Sequence, residues 1–193
     1  MKTKRTYTMG ARAQAVEERR QRIQEALFAL GSERVFTDIS LDDVAREAGV
    51  SVQTVLRQYG GRAALIESNI EYAIGRVTEE RIAPVGDIDA ALRVIVDHYE
   101  LRGDTAMLML AQERGDAQVG DLTERGRVMH RKWVEEVFAP YVAGDETLTD
   151  LLVVATDVYT WKLLRRDRGL SRTQTEKRMN KLTRAVLAAN KET

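Results

Sequence analysis

The chain predicts an all-α protein, and three observations carry that prediction. The composition is rich in Ala, Leu, Arg and Glu, with only two prolines, and these side chains lose little freedom in a helix. Apolar residues recur at three- and four-residue spacings in one segment after another. No alternating run of useful length marks a strand, and no internal repeat is present. With 193 residues, 44% hydrophobic and 31% charged, the chain suits one ordinary domain or two small ones, each with a real core.

The elements follow in order. Ile23, Ala26, Leu27 and Leu30 form a single stripe and predict a helix over Ala13–Leu30, with Gly31 placed to end it. Ser40 caps the next helix, and Asp43 three residues later completes a capping-box pair. Leu41, Val44, Ala45 and Ala48 are its stripe, and Gly49 is its left-handed terminator. Ser51 then caps a third helix of two turns. A longer helix spans Ala63–Arg81 before Pro84 and Gly86. Further helices are expected near Asp87–Leu101, Thr105–Gln112, Val119–Ala139, Leu148–Arg168 and Thr173–Ala189, divided by Gly103, Gly115, Pro140 with Gly144, and Gly169.

Two helices separated by a single glycine turn must cross steeply. Residues 40–59 therefore read as a helix-turn-helix, the element that presents its second helix to the DNA major groove. Ala45 is small where the second helix crosses it, Val50 fills the turn, and Val55 anchors the second helix. Val52, Gln53, Thr54 and Arg57 point away from that anchor. Arg57 can donate two parallel bonds to guanine, Gln53 can pair with adenine, and Thr54 or Val52 can touch a thymine methyl. Ser51, at the helix start, suits a phosphate. Lys2, Lys4, Arg5 and Arg12 form a basic arm free of acids over the first twelve residues, which matters beside a nucleic-acid module.

Thr37, Ser40, the run VAREAGVS from Val44 to Ser51, Thr54, Tyr59 and Leu65 resemble the tetracycline-repressor (TetR) family of bacterial transcriptional regulators. The resemblance is close from Ile23 to Leu65 and extends over the rest only in length and helix layout. It implies a DNA-binding helix-turn-helix domain over residues 1–60 and a helical ligand-binding and dimerisation domain over 61–193, about nine helices in all. It also implies a homodimer formed through the Leu148–Arg168 and Thr173–Ala189 helices, a double-stranded DNA operator of palindromic form, and a small-molecule effector that releases it. The family's run Tyr-x-His-Phe-x-x-Lys after the turn is altered here to Leu56, Gln58, Tyr59 and Arg62. Leu56 lacks the hydroxyl that contacts phosphate in the family. Arg62 keeps the cation, and Tyr59 keeps the aromatic ring.

The segment LLVVATDVYTWKLL is apolar almost all round, so it needs a second partner besides its own core: a second copy of the chain is the simplest, and a central place in a monomeric bundle is the alternative. Candidate residues for an effector pocket are Tyr72, His98, Tyr99, Arg102, Met107, Met109, Met129, Trp133, Tyr159 and Trp161, a mostly apolar set with a few polar groups. His98, beside Asp97, reads either as half of an oriented acid-base pair or, more simply, as a partly exposed helix histidine. Residues 71–144 are acidic and their flanks basic, which favours a cationic or neutral effector over an anion.

Cysteine is absent, and His130 lies far from His98 with no ligand-spaced partner, so neither a thiolate nor a metal centre is expected, nor any cofactor. No glycine-rich phosphate loop and no carboxylate pair tied to a histidine supports an enzyme. The alternatives are a helical-bundle enzyme or an adaptor whose helix-turn-helix does not bind DNA. No apolar run reaches the length of a membrane span and the N-terminus has no signal-peptide core. A cytoplasmic bacterial protein, on the nucleoid when bound to DNA, is the expectation.

Overall fold

The structure is a computed structural model describing residues 4–34 and 38–190, with side chains from residue 10 onward other than that of Ser32. The described residues form ten α-helices and one π-helical turn, and no strand. The all-α reading holds. The chain divides into two compact units, Met1–Gly75 and Arg76–Thr193.

In the first unit, α1 (Lys4–Glu33), α2 (Leu41–Glu47), α3 (Val52–Tyr59) and the start of α4 (Arg62–Glu80) enclose a small core. Ile23, Leu27, Val44, Ala45, Val55 and Leu65 are buried in it. α1 is longer than its apolar stripe predicts: it continues through a buried Gly31 instead of ending there. Polar groups tie α1 to α4 as well. The Asn69 side-chain amide donates to the Gln24 carbonyl at 2.7 Å, and the Gln24 amide reaches Ser68 at 3.3 Å. Phe28 and Tyr72 meet edge to face, 6.1 Å between ring centres.

In the second unit α5 (Ile88–Gln112) is the central element, packed against α6 (Ala117–Val137), α9 (Val158–Lys162) and α10 (Arg172–Ala189). Leu92, Ile95, Val96, Phe138, Leu152, Trp161 and Met179 form the centre of its core. Gly103 does not divide α5, against the sequence expectation. Its missing side chain makes room for the Trp161 ring, so the glycine serves packing and the helix runs on.

The apolar stretch expected as one helix over Leu148–Arg168 is three pieces. α8 (Glu146–Thr156) stops where Asp157 turns extended, and the Asp157 carboxylate caps α9 by accepting from Tyr159 N at 2.8 Å. A π-helical turn (Leu163–Asp167) follows. Pro140, expected as a breaker, lies in the first turn of the short helix α7 (Ala139–Val142), where its missing N–H costs nothing.

The charge pattern of the sequence finds its explanation in this unit. Acids of α5 pair with bases of the C-terminal segment: Glu100 with Arg165 at 2.9 Å, Asp104 with Arg166 at 2.8 Å, Asp97 with Arg172 at 2.7 Å and Asp89 with Arg184 at 2.7 Å. The acidic middle and basic end of the chain meet each other.

Candidate nucleic-acid interface

The corner between α2 and α3 is built from backbone bonds. Gly49 has φ +65°. Its N–H donates to Arg46 O at 3.2 Å, and Val50 N–H donates to Ala45 O at 2.9 Å. This pair of bonds is the Schellman closure, which satisfies the last carbonyls of a helix through one left-handed residue. α2 is held at its other end by the Ser40–Asp43 box, with Asp43 N donating to Ser40 Oγ at 3.1 Å and Ser40 N donating to Asp43 Oδ2 at 3.0 Å. The Ser40 hydroxyl, donating to Asp43 Oδ2 at 2.6 Å, and the Ser40 N–H, with Arg34 beside them, hold the Asp43 carboxyl down at about 2.

α3 begins at Ser51, whose hydroxyl accepts from Thr54 N at 3.2 Å and lies 2.9 Å from the Thr54 hydroxyl. Val55 is fully buried and fixes the rotation of the helix. Gln53 and Arg57 are consequently exposed, and Val52 and Thr54 half-exposed. The four residues assigned to base contact thus share the outer side of α3, with Ser51 exposed at its start.

Arg62 and Tyr59 do more inside the unit than the sequence implies. Arg62 Nε donates to the Ile39 carbonyl at 3.0 Å, tying the start of α4 to the loop before α2. The Tyr59 hydroxyl approaches the Arg20 carbonyl at 3.5 Å, and partial burial pushes its pKa up. Thr37 and the side chains of Lys4 and Arg5 lie outside the described residues.

The residues assigned to an effector pocket separate into groups. Tyr72 belongs to the first unit. Tyr159 is exposed, Met107 packs on the core, Met109 is half-buried, and the Met129 sulfur lies 3.9 Å from the Thr78 hydroxyl. His98, Tyr99 and Trp133 do come together, around a residue the sequence reading passed over, Arg81, while Arg102 is linked to them through Glu80 and Trp161 through Tyr99. The Trp133 indole N–H donates to the Arg81 carbonyl at 2.7 Å, and the Arg81 guanidinium stands 5.7 Å from the Tyr99 ring centre.

His98 is buried, not partly exposed, and its partners are Glu80 and Arg81 instead of the neighbouring Asp97. Burial and the Arg81 charge lower its pKa to about 3. His130 is buried as well, and for the same reasons its pKa falls to about 3. A signal for His130 existed: with Trp133, Val134 and Val137 it forms a stripe at helical spacing, and the stripe is buried. Arg81 carried none, because a charge at a helix end ordinarily faces water. An open depression of ≈430 Å³ elsewhere in the unit, bordered by Gly86, Asp87, Tyr141 and Arg184, includes no residue of the candidate set.

No protein-family model matches the chain, and no curated relative does. Solved structures do match its fold. A transcriptional regulator from Rhodococcus sp. Rha1 superposes with a TM-score of 0.67 at 16% identity, covering 88% of this chain and 96% of that one. A TetR-family transcriptional regulator from Streptomyces coelicolor superposes with a TM-score of 0.65 at 20% identity, covering 89% and 83%. The chain has the TetR-like fold.

Proposed function

We propose that this chain is a sequence-specific DNA-binding transcriptional regulator. One observation carries the reading. The Gly49 closure and the buried Val55 together turn a single side of α3 outward, and that side bears Gln53, Thr54 and Arg57. A guanidinium, an amide and a hydroxyl-methyl group on one helix side match the donor and acceptor code of major-groove edges. The fold shared with transcriptional regulators supports the same reading.

The regulator acts as a homodimer. Leu151 and Val154 on α8 and Leu182 on α10 are among the exposed apolar side chains of the second unit, and a second copy would cover them. Two recognition helices then reach successive major grooves of a palindromic operator, roughly 34–36 Å apart. α4 begins in the first unit and ends in the second. An effector that shifts its C-terminal end changes the spacing of the recognition helices and releases the operator. The protein works on the bacterial nucleoid, in the cytoplasm, and no helix among its described residues is long and apolar enough to cross a membrane.

The test is binding to the DNA flanking its own gene, by fluorescence anisotropy at two salt concentrations. A tight complex that weakens steeply with salt is expected. Binding that is absent, or insensitive to both salt and sequence, sinks the reading.

A further inference from the structure

Arg81 directly follows α4, is only 9% exposed, and lacks a carboxylate partner. Its Nη2 donates to His98 Nε2 at 2.9 Å, while Nε and Nη1 have no partner at all. His98 cannot neutralise it. The His98 Nδ1–H donates to Glu80 Oε2 at 3.0 Å, which leaves Nε2 as the bare acceptor facing Arg81. Glu80 is already matched, because its Oε1 accepts from Arg102 Nη2 at 2.9 Å. Asp157, which also acts on Arg81 through space, is engaged in capping α9. Glu80 and Asp157 match Arg81 and Arg102 in number, but neither carboxylate bonds the Arg81 guanidinium. A buried charge without a bonded counter-ion is destabilising, and a buried unsatisfied group calls for an account of what satisfies it.

A second orphan lies in the same region. His130 Nε2 faces only oxygens, the Thr156 hydroxyl at 3.2 Å and the Val153 carbonyl at 3.4 Å. The Thr156 hydroxyl spends its own hydrogen on the Leu152 carbonyl at 2.7 Å. Nε2 therefore carries the proton, and the buried Nδ1 is an acceptor with no partner. Trp133 joins the two orphans: its ring stacks on His130, 5.8 Å apart and 14° from parallel, and its indole N–H holds the Arg81 carbonyl.

We propose that this interior binds a small carboxylic acid, Arg81 taking the carboxylate and His130 Nδ1 accepting from a hydroxyl or N–H of the same molecule. A guanidinium with unclaimed donors recognises a carboxylate by directed bonds, in a way an ammonium cannot. A monoanion brings one charge to the unclaimed donors, whereas a dianionic phosphate would bring two beside Glu80 and Asp157. The sign is opposite to the one the acidic surface tally suggests, because those acids are matched by the C-terminal bases. Resting on the regulator reading above, the acid is the effector, and it binds against the residue that follows α4.

Isothermal titration calorimetry with two hydroxy acids of different size, lactate and 3-hydroxybenzoate, tests this against lactamide, 3-hydroxybenzamide and inorganic phosphate. At least one acid should bind roughly tenfold or more tightly than its amide, and phosphate should not compete. In Arg81→Gln the acid should lose that advantage. Should Arg81→Gln not fold, the Arg81 Nε–H proton resonance of the unaltered protein should move on adding the acid. No binding by either acid, equal binding of acid and amide, an unmoved resonance, or a retained preference in a folded Arg81→Gln overturns the proposal. DNA binding is measured on the same preparation. Salt-sensitive DNA binding without acid binding defeats this site and leaves the regulator standing; acid binding without DNA binding does the reverse.

Discussion

The Trp161 ring occupies the space a side chain at position 103 would need: a Cβ on Gly103 would lie 2.4 Å from the indole. The ring is fully buried, its N–H bound to Glu100 at 3.0 Å and its face covered by the Arg166 guanidinium at 4.6 Å. It has nowhere to retreat. Gly103→Ala should therefore destabilise the protein by about 1–3 kcal/mol, although alanine is by itself the better helix former. Urea unfolding followed by circular dichroism measures it. Trp161→Phe in the same chain should recover part of the loss, and a Gly103→Ala protein at least as stable as the parent contradicts the packing argument.

The same contact marks how far sequence reasoning reaches. Helix type was legible wherever a stripe repeated, as in Leu41, Val44, Ala45 and Ala48, because burial of one side imposes that spacing. Gly103 was misread because a glycine that ends a helix and one that admits a neighbouring ring look alike along the chain. The break at Asp157 was hidden for a related reason: the apolar pattern runs on through it, and only tertiary packing turns Asp157 into a cap. In the first unit the turn, its caps and the outward residues of α3 were readable, since each depends on neighbours within a few positions. Around Arg81 only single members such as His98, Tyr99 and Trp133 were readable, and their grouping was not, because it draws on the end of α4, α5, α6 and α8 at once.

Arg57 and Arg62 should behave differently on DNA. Arg57 is exposed on the outer side of α3, so Arg57→Ala should cost about 1–3 kcal/mol of operator binding and relax sequence preference. Arg62 holds the Ile39 carbonyl. Arg62→Ala should weaken operator and random DNA alike and also lower folding stability by roughly 1 kcal/mol. Anisotropy titrations on matched and scrambled duplexes, beside urea melts, separate the two. An Arg57→Ala protein with unchanged discrimination removes α3 from base recognition.

Gly49 should tolerate no side chain cheaply. An L-residue held left-handed costs about 1–2 kcal/mol, and here the turn sets the crossing of α2 and α3. Gly49→Ala should lower stability by that amount and weaken DNA binding further, because the outward aim of Gln53 and Arg57 depends on the corner. Stability and DNA affinity both unchanged would show that the corner does not set the aim.

Val154, 62% exposed on α8, is the sharpest probe of the dimer. In a two-fold interface every substitution is made twice, once from each copy, so Val154→Glu would bury two carboxylates in an apolar contact. Sedimentation should show a folded monomer where the parent is a dimer, with weaker operator binding. A dimeric Val154→Glu protein excludes α8 from the interface.

The two buried histidines set a pH dependence. Both are held neutral, their pKa values lowered from 6.5 to about 3, while the unfolded chain protonates them near the ordinary value. The unfolded state thus binds more protons, and stability falls as pH drops from 6.5 towards 3. Each histidine contributes up to about 1.4 kcal/mol per pH unit in that window. Asp157 opposes the trend, since burial raises its pKa and the folded state takes its proton first. Glu80, held below its ordinary range by Arg102 and His98 against the pull of burial, adds to the loss only at the acid end. Between pH 6.5 and 5 the histidines dominate, and the urea midpoint should fall. His98→Gln with His130→Gln should flatten that stretch while Asp157 remains. A midpoint that stays level in the parent over the same range would mean that neither ring is held neutral by the fold.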